Sequence, residues 1–407
     1  MIALPNECFF EIFNNLKDDY KALFSCLLVN RQWCRNTVSI LWSKLDSFKN
    51  RKLIKICLLL LNDEEQAQLL PFKISIQNNQ KPLFEYSAFV KTVYFSTDCG
   101  IINWLDFECQ SPRNLACYSY HTNNGKWSMD VIHTIGSALL SMFLRTSVNL
   151  KDLRICDINY NQMINLTKNL YKCTTLNFVG FGNNHLGFEG GKELAKILYK
   201  NTTLTYLYIA NNQLDFEGGK ALAEALCNNN TLTHLNIWNN QLGPEGGKEF
   251  ANILCKNTTL TYLNIGSNQL GLEGGRALAK ALYKNSTLTH LSLYNNQLGY
   301  KGGKAFAKVL CKNSTLTYLN IGNNQLNSVE GNLLAEALHK NTVLTSLDLR
   351  DNKLYNDVGH TLVQALSENT TLTYLFLFNN SIYNTVLNEI DDLLKNNRNR
   401  KNAMQVA

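Results

Sequence analysis

The feature that most constrains the fold of this chain is a pattern of apolar residues that recurs with a fixed period. Its commonest form, Leu-x-x-Leu-x-(Leu/Ile)-x-x-Asn-x-Leu, begins every 28 residues, at Leu176, Leu204, Leu232, Leu260, Leu288, Leu316, Leu344 and Leu372. A period of this length is the signature of a solenoid, because one unit cannot bury its apolar face alone and must stack against its neighbours. The sequence therefore predicts a stack of similar units that starts at Leu176.

Each unit is predicted to form a short strand followed by a helix. The alternating apolar residues at its start indicate a strand with one buried face. In the segment that follows, for example Glu217–Cys227, the residues Leu222, Ala223 and Leu226 lie on one face of an amphipathic helix. Paired glycines between strand and helix allow a tight turn and a close approach of neighbouring helices. We expect an α/β solenoid in the form of a horseshoe, with a parallel inner sheet and outer helices.

An asparagine occupies the same position in every unit, at Asn184, Asn212, Asn240, Asn268, Asn296, Asn324, Asn352 and Asn380. An amide side chain donates and accepts hydrogen bonds at once, so it can satisfy backbone groups that a buried bend cuts off from water. The 28-residue length and the turn sequence Leu-Gly-x-Glu-Gly-Gly resemble the ribonuclease-inhibitor-like class of leucine-rich repeats. That resemblance implies a protein-binding solenoid.

A second set of asparagines matches the acceptor pattern for N-glycosylation of secreted proteins. These are Asn201, Asn257, Asn285, Asn313 and Asn369. They stand at one position of the repeat, so they amount to a single coincidence that the repeat copies. The N-terminus has no basic-then-apolar signal pattern. We therefore give the glycosylation pattern no weight.

Outside the regular repeats the pattern weakens. Irregularly spaced matches begin at Val90, Leu115 and Leu150 and indicate degenerate repeats. A capping helix is expected over Asn384–Lys395, since repeat arrays need a polar outer end. The predicted regions are a helical domain at 1–45, a linker with degenerate repeats at 46–175, the regular repeats at 176–383, and a capping helix with a basic tail at 384–407.

The N-terminal segment resembles the F-box. The ordered features of that family are a Leu-Pro pair, an acidic residue, an aliphatic-Phe pair, Arg-x-Trp and a final Leu-Trp. Those places are filled by Leu4, Pro5, Glu7, Ile12, Phe13, Leu16, Leu23, Leu28, Val29, Arg31, Trp33, Leu41 and Trp42. A plain helical cap for the solenoid would explain amphipathic helices but not this ordered set.

The F-box resemblance implies a small all-α module that docks on the Skp adaptor, which joins it to a cullin carrying the ubiquitin-transfer machinery. The chain would then be the substrate-receptor subunit of a Skp-cullin-F-box ubiquitin ligase, without catalytic residues of its own. Contact with the adaptor is predicted for Leu4, Pro5, Glu7, Ile12, Leu16, Leu28, Val29 and Trp33.

The residues between the core positions of each strand point to the opposite side and are expected to bind a protein substrate. Aromatic and Arg side chains dominate interface energetics, and these columns are rich in both. The predicted substrate-binding residues are Tyr206, Tyr208, His234, Trp238, Tyr262, His290, Tyr294, Tyr318, Asp348, Arg350, Tyr374, Phe376 and Phe378. For the Tyr-His column an equal alternative is that the rings stack and stiffen the sheet. Pockets are expected beside the large residues, where Gly266 and Gly322 share their column.

Other kinds of chemistry find little support. The sequence has no catalytic or phosphate-binding motif and no metal-ligand spacing, so neither a cofactor nor a metal is expected. The twelve cysteines include no CxxC pair, and most are interpreted as reduced core thiols. The net charge of +7 is interpreted as spread along the chain, with one short basic cluster at Arg398–Lys401 that does not favour nucleic acid.

The longest aliphatic run, Ile56–Leu61, is too short to span a bilayer, so a cytoplasmic or nuclear protein is expected. The main alternative function is a leucine-rich-repeat scaffold unrelated to ubiquitin, or a regulator of the GTPase-activating kind. A ribonuclease inhibitor fits less well, since that class presents an acidic surface. The identity of the substrate is not predicted.

Overall fold

The computed structural model describes residues 5–45, 50–74, 76, 82–96, 100–109, 127–158 and 160–406. The chain divides into two compact units, Met1–Asn184 and His185–Ala407, here called unit 1 and unit 2. Within the described ranges no helix is both long enough and apolar enough to cross a membrane.

Unit 1 begins with three helices, α1 (Asn6–Asn14), α2 (Tyr20–Leu27) and α3 (Arg31–Leu41). They close around a core of Phe13, Leu23 and Ile40, one from each helix. Side-chain caps define where α2 and α3 start: Asp19 accepts from the backbone N–H of Ala22, and Asn30 accepts from that of Trp33.

The rest of unit 1 alternates short strands with helices. The elements are β1 (Lys44–Leu45), α4 (Arg51–Leu58), α5 (Asp63–Ala67), β2 (Thr92–Phe95), α6 (Gly100–Cys109), α7 (Met129–Thr146), β3 (Asp152–Ile155), α8 (Tyr160–Leu170) and β4 (Phe178–Gly180), with single 3-10 turns at Leu70–Phe72 and Tyr86–Phe89. The strands pair in parallel and in chain order. Strands β2 and β3 fall in the weak repeat matches at Val90 and Leu150, whereas the match at Leu115 lies outside the described residues.

Unit 2 repeats one strand-helix module with high regularity. Its elements are α9 (Gly187–Lys200), β5 (Tyr206–Tyr208), α10 (Asp215–Asn228), β6 (His234–Asn236), α11 (Gly243–Leu254), β7 (Tyr262–Asn264), α12 (Gly271–Ala281), β8 (His290–Ser292), α13 (Gly299–Leu310), β9 (Tyr318–Asn320), α14 (Ser328–Lys340), β10 (Ser346–Asp348), α15 (Asn356–Glu368), β11 (Tyr374–Phe376) and α16 (Asn384–Val406). Strands β5 to β11 pair in parallel, and each residue lies opposite the equivalent residue of the next repeat, 28 positions later. The predicted α/β leucine-rich-repeat solenoid is confirmed.

The paired glycines are required where neighbouring helices touch. A Cβ atom on Gly191 in α9 would lie 2.6 Å from the Cα of Gly218 in α10. The same contact recurs between α11 and α12, where a Cβ on Gly247 would lie 2.7 Å from the Cα of Gly274. Only glycine permits backbones to approach this closely, which explains why the helices can follow each other every 28 residues.

The predicted asparagine column forms a continuous buried ladder in unit 2. Asn268 is fully buried, and its Oδ1 accepts from the backbone N–H of Asn240 at 2.8 Å. Its Nδ2 donates to the carbonyl oxygens of Ile237, Ile265 and Gly266 at 2.9 to 3.1 Å. One side chain thus satisfies backbone groups of its own repeat and of the preceding repeat, as predicted.

The asparagines of the glycosylation pattern form a second buried ladder, which the sequence analysis did not identify. The Nδ2 of Asn257, the atom that would carry a glycan, donates to the carbonyl oxygen of Leu226 at 2.8 Å. Its Oδ1 accepts from the backbone N–H groups of Thr259 and Leu260. Asn341, which Thr342 and Val343 follow, stands at the same position outside the Asn-x-Ser/Thr pattern and makes the same kind of bonds. The repeat retains this asparagine for its buried hydrogen bonds.

The last helix covers the end of the core and the end of the second asparagine ladder. Val386, Ile390 and Leu394 of α16 are buried, and the helix continues to Val406, beyond the predicted end at Lys395. Asn397, 28 residues after Asn369, donates to the carbonyl oxygens of Asn369 and Leu372 at 2.8 and 2.9 Å. The segment interpreted as a basic tail is therefore part of the C-terminal cap.

The cysteines differ from the predicted core thiols. Cys57 and Cys173 are buried, and burial raises the pKa of the Cys57 thiol well above its usual range. Cys8, Cys227, Cys255 and Cys311 are exposed. The last three share one repeat position, at or just after the ends of α10, α11 and α13, so the period that aligns them also brings them to the surface.

Candidate protein-binding surfaces

The three N-terminal helices leave an unusual amount of apolar side chain in solvent. Among the residues predicted to contact an adaptor, Ile12 is 49%, Leu28 77% and Val29 57% exposed. Pro5 and Glu7 are exposed as well, while Leu4 lies outside the described residues. Leu16 and Trp33 instead pack against the core of Phe13, Leu23 and Ile40, so their role in the structure is to hold the module together.

Three further apolar residues on these helices are exposed and were not predicted. They are Phe10, Tyr20 and Phe24, which are 37%, 53% and 60% exposed. Tyr20, Phe24 and Leu28 are spaced by four residues, which places them along one side of α2 and its C-terminal end. That spacing was visible in the sequence and could have identified them.

The side of the unit 2 sheet that faces away from the helices is here called the open face. On it the Tyr-His column forms a stack of five rings. The ring centroids of Tyr206, His234, Tyr262, His290 and Tyr318 follow one another at 5.3, 5.5, 5.9 and 5.7 Å, with interplanar angles of 13° to 29°. Ser346 ends the stack in the next strand. The geometry therefore shows that the rings of this column stack on one another, which was the alternative interpretation. Contact with a substrate stays a prediction.

A threonine before each histidine contacts the ring nitrogen. The hydroxyl of Thr233 lies 3.0 Å from the carbonyl oxygen of Thr205 and 2.8 Å from Nδ1 of His234. Thr289 and His290 repeat the arrangement. These contacts hold each ring in its place in the stack.

The environment of the stack disfavours charge on its histidines. Desolvation by the neighbouring rings lowers the pKa of His234. Desolvation also lowers the pKa of His290, and the proximity of His234 adds to the effect. Both rings are thus neutral at pH 7.

Arg350 is bound to a buried partner. Its Nε donates to both carboxylate oxygens of Asp348 at 2.8 Å, and its Nη2 donates to Oδ2 at 2.5 Å. Asp348 is 1% exposed, which corrects the prediction that it contacts a substrate: its carboxylate is enclosed beneath the guanidinium. The bonds to Asp348 raise the pKa of Arg350. Its Cζ lies 5.6 and 4.9 Å from the ring centroids of Phe376 and Phe378.

Trp238 and Tyr294 lie against the glycines of their column. A Cβ atom on Gly266 would lie 2.8 Å from Cδ1 of Trp238, and one on Gly322 would lie 3.1 Å from Cδ2 of Tyr294. The rings therefore occupy the space beside the glycines, where pockets were expected. The hydroxyl of Tyr294 donates to Asp351 at 3.2 Å. Both side chains are half-buried.

The most exposed part of the open face is at its C-terminal end. Tyr374, Phe376 and Phe378 are 53%, 36% and 54% exposed, and they share one side of β11 and its continuation. Tyr208, the remaining predicted residue, is half-buried in β5 at the other end. Large side chains thus line the face from one end to the other, with the greatest apolar exposure in the last repeat.

Among the described residues no group of three or more His, Cys, Asp or Glu side chains could hold a metal ion. Some polar groups of the open face bind one another, as Arg350 and Asp348 do. The rows of large side chains suit recognition of a macromolecular partner.

Comparison with known proteins agrees with this organisation. An F-box-like family model matches residues 1–47. A leucine-rich-repeat model matches residues 200–223, 228–251, 256–279, 284–307, 312–329 and 340–357. No match to a curated protein sequence was found.

Several solved structures resemble parts of the chain. An internalin from Listeria monocytogenes is 24% identical, covers 62% of this chain and 67% of its own, with a TM-score of 0.38. The Rad7 and Elc1 complex of yeast is 15% identical over 61% of this chain and 75% of that one, with a TM-score of 0.35. The actin-binding site 2 of leiomodin-1 is 21% identical over 47% and 94%, with a TM-score of 0.33.

F-box and leucine-rich-repeat modules are adaptor and interaction domains, and their combination is typical of a substrate adaptor. The chain carries an F-box-like domain at residues 1–47 and a run of leucine-rich repeats at 200–357, and so matches an F-box protein with leucine-rich repeats.

Proposed function

We propose that this protein is the substrate-receptor subunit of a Skp-cullin-F-box ubiquitin ligase. In this role the F-box-like domain binds the Skp adaptor, and through it a cullin. The leucine-rich repeats bind the protein to be modified. The chain itself supplies recognition and no catalytic group, and it acts in the cytoplasm or the nucleus.

The observation that carries the proposal is the exposed apolar surface of the F-box-like domain. Its own core is closed, yet Phe24, Leu28 and Val29 are each more than half exposed. Contiguous apolar surface on a small module marks an interface, because leaving it in water is unfavourable. A hydrophobic groove on an adaptor is the partner that such a surface requires.

The open face of unit 2 supports the second half of the proposal. Its aromatic side chains stand on a rigid sheet. Stacking or glycine neighbours restrict the rotamers of several of these side chains. Rigid aromatic residues lose little conformational entropy on binding and commonly form the energetic centre of an interface. We place the centre of substrate contact at Tyr374, Phe376 and Phe378, where apolar exposure is greatest.

Co-purification with the Skp adaptor tests the first half. The variant Phe24→Ala/Leu28→Ala removes two side chains that contribute little to the core. If they are central anchors, the loss is about 2 kcal/mol or more each, and the adaptor should no longer co-purify. The matched control is Leu70→Ala/Val148→Ala, which removes two apolar side chains of unit 1 that are 62% and 66% exposed.

Adaptor binding by the parent and the control, with loss in the Phe24/Leu28 variant, supports the proposal. Failure of the parent to bind any Skp adaptor contradicts it and favours a leucine-rich-repeat scaffold. Circular dichroism of the variants verifies that the helices are intact.

A further inference from the structure

The helix side of unit 2 carries a concentration of positive charge. Between Gly271 and Lys312 the sequence has seven cationic residues and one acidic residue, so 7 − 1 gives a local charge of +6 against +7 for the whole chain. The seven are Arg276, Lys280, Lys284, Lys301, Lys304, Lys308 and Lys312. This corrects the interpretation that the charge is spread along the chain. The repeat period brings these residues together on and beside two adjacent helices.

Helices α12 and α13 form the walls of a groove of about 660 Å³. The cations that line it include Arg276 and Lys280 on α12 and Lys301, Lys304 and Lys308 on α13, all of them exposed. Side chains one helical turn apart repeat every 5.4 Å or so along each wall. Glu273 also lines the groove and pairs with Arg276 at 3.6 Å, so the net positive charge comes mainly from Lys280 of α12 and the three lysines of α13.

On α9, α11 and α12 a cation pairs with the carboxylate three residues earlier. Lys192 pairs with Glu189 at 3.2 Å, and two cations that line the groove do the same, Lys248 with Glu245 at 2.6 Å and Arg276 with Glu273 at 3.6 Å. In α13 the acidic position is occupied by Lys301, so Lys304 follows a like charge instead of a partner.

Within the described part of the chain, no carboxylate oxygen lies within 4.0 Å of Lys280, Lys301, Lys304 or Lys308. Like charges at this spacing destabilise a helix slightly, and a bound anion would remove that cost.

The floor of the groove is formed by small apolar side chains. Ala277 and Ala279 of α12 and Ala305 of α13 line it between the rows of cations, and Tyr283 contributes a ring. Alanine methyl groups accept small apolar side chains, and Tyr283 is the one ring among the lining residues, with Nζ of Lys312 5.9 Å from its centroid. Six of the seven cations are lysines, which lack the bidentate geometry that favours phosphate recognition. The groove thus suits carboxylates that alternate with apolar residues.

We propose that this groove is a second binding site, which takes an acidic segment of a partner protein. The site lies on the helix side of the repeats, whereas the proposed substrate contact lies on the open face. A partner held by its acidic segment and a substrate on the open face can therefore occupy the repeats together. The site does not depend on adaptor binding, so it stands or falls separately from the proposed function.

Fluorescence anisotropy with the full chain tests the site. The probe is a short labelled peptide in which Glu alternates with Ala, compared with the same peptide carrying Gln in place of Glu. The variant Lys301→Glu restores the residue type of the earlier repeats and gives Lys304 an acidic partner, so it should preserve folding. The combination Lys280→Gln/Lys304→Gln/Lys308→Gln removes three charges from the groove. The matched control, Lys192→Gln/Lys196→Gln/Lys220→Gln, removes three from α9 and α10.

We expect the parent to bind the Glu peptide and not the Gln peptide, with an affinity that falls as salt is added. Both groove variants should weaken binding at least about tenfold, and the control less than about twofold. Equal losses in the groove and control variants would overturn the proposal, since binding would then follow net charge alone. So would absence of binding to the Glu peptide. A single-stranded oligonucleotide of matched charge that bound more tightly than the peptide would assign the groove to nucleic acid and also overturn it.

Discussion

The strands of unit 2 carry one kind of residue on their buried side and many kinds on their open side. The central position is Leu in all seven strands and is buried in every one except β11, whereas the next position, on the open side, holds Tyr208, Asn236, Asn264, Ser292, Asn320, Asp348 and Phe376. The backbone is the same in each repeat, so the difference is due to the surroundings. A buried residue must complement its own repeat and the next, whereas a polar open-face residue such as Asn264 makes a local hydrogen bond, here with the backbone N–H of Gly266 in its own repeat.

The sharpest way to break this comparison is to make one substitution on each side of the same repeat. Asn268→Leu removes a buried amide that makes hydrogen bonds to four backbone groups, which leaves several of them unsatisfied and should cost roughly 3–5 kcal/mol of unfolding free energy. Asn264→Leu, on the open face of β7, should cost less than about 1 kcal/mol. Urea unfolding of the two variants measures the difference. Equal destabilisation would show that burial does not distinguish the two sides.

A smaller effect is expected where the open face itself contains a buried charge. Arg350→Ala leaves the enclosed carboxylate of Asp348 without its cationic partner, with the backbone N–H of residue 350 still donating to it. The change should destabilise the fold by roughly 2–3 kcal/mol, somewhat less than for a fully buried pair because Arg350 is partly exposed. Adding Asp348→Asn should recover most of that loss by removing the charge. Thermal unfolding of the single and double variants provides the measurement, and a double variant no better than Arg350→Ala would contradict the explanation.

The C-terminal end offers the same comparison within one helix. Asn397→Ala/Arg398→Ala removes donors to the carbonyl oxygens of Asn369, Leu372 and Thr373. The free energy of local opening in the last repeat should fall by about 1–2 kcal/mol, so its amide hydrogens should exchange faster. The neighbouring pair Asn396→Ala/Arg400→Ala, which is exposed, should change exchange little. Similar exchange in the two variants would mean that the end of the ladder needs no donors.

The smallest expected effect concerns the ring stack. The pKa values of His234 and His290 are lowered in the folded state, so the unfolded chain binds their protons first. The contribution of the two histidines to the free energy of unfolding is therefore complete above about pH 6.5, the usual pKa of histidine. It declines as the pH falls toward the lowered pKa values of the folded state. His234→Tyr/His290→Tyr keeps a continuous stack and removes the titration. The unfolding midpoint of the parent should fall more than that of the variant between about pH 7 and about pH 5.5; parallel curves would contradict this.

The buried side of the repeats could be predicted from the sequence because burial imposes a repeated residue. The strand positions, the helices and the Asn268 column all follow from the 28-residue period. Strand β1 could not be predicted, since Lys44–Leu45 is too short to show alternation. The second asparagine ladder was visible but coincided with a glycosylation pattern, and only the burial of residues such as Asn257 distinguishes the two interpretations.

The surfaces were less predictable, because exposure imposes no pattern. The sequence placed Arg350 and Asp348 on the same face but did not indicate that they bind each other, although residues two apart on a strand are neighbours on one side. The predicted adaptor set mixed exposed residues such as Leu28 with core residues such as Trp33. The charge between Gly271 and Lys312 could have been counted in the sequence, but the groove that collects it required the packing of α12 beside α13.

The direction of the asparagine ladder makes the length of this protein adjustable. Each amide serves its own repeat and the one before it, so every internal repeat presents the same donors and acceptors at its two boundaries. Excision of residues 233–260 would join Leu232 to Thr261 and let Asn268 meet Asn212, as Asn240 does now. Duplication of that segment would add one more rung, and either change would move all later repeats by one strand spacing, about 4.8 Å. Gain or loss of whole modules could thus alter which partner the open face fits while the interior stays unchanged.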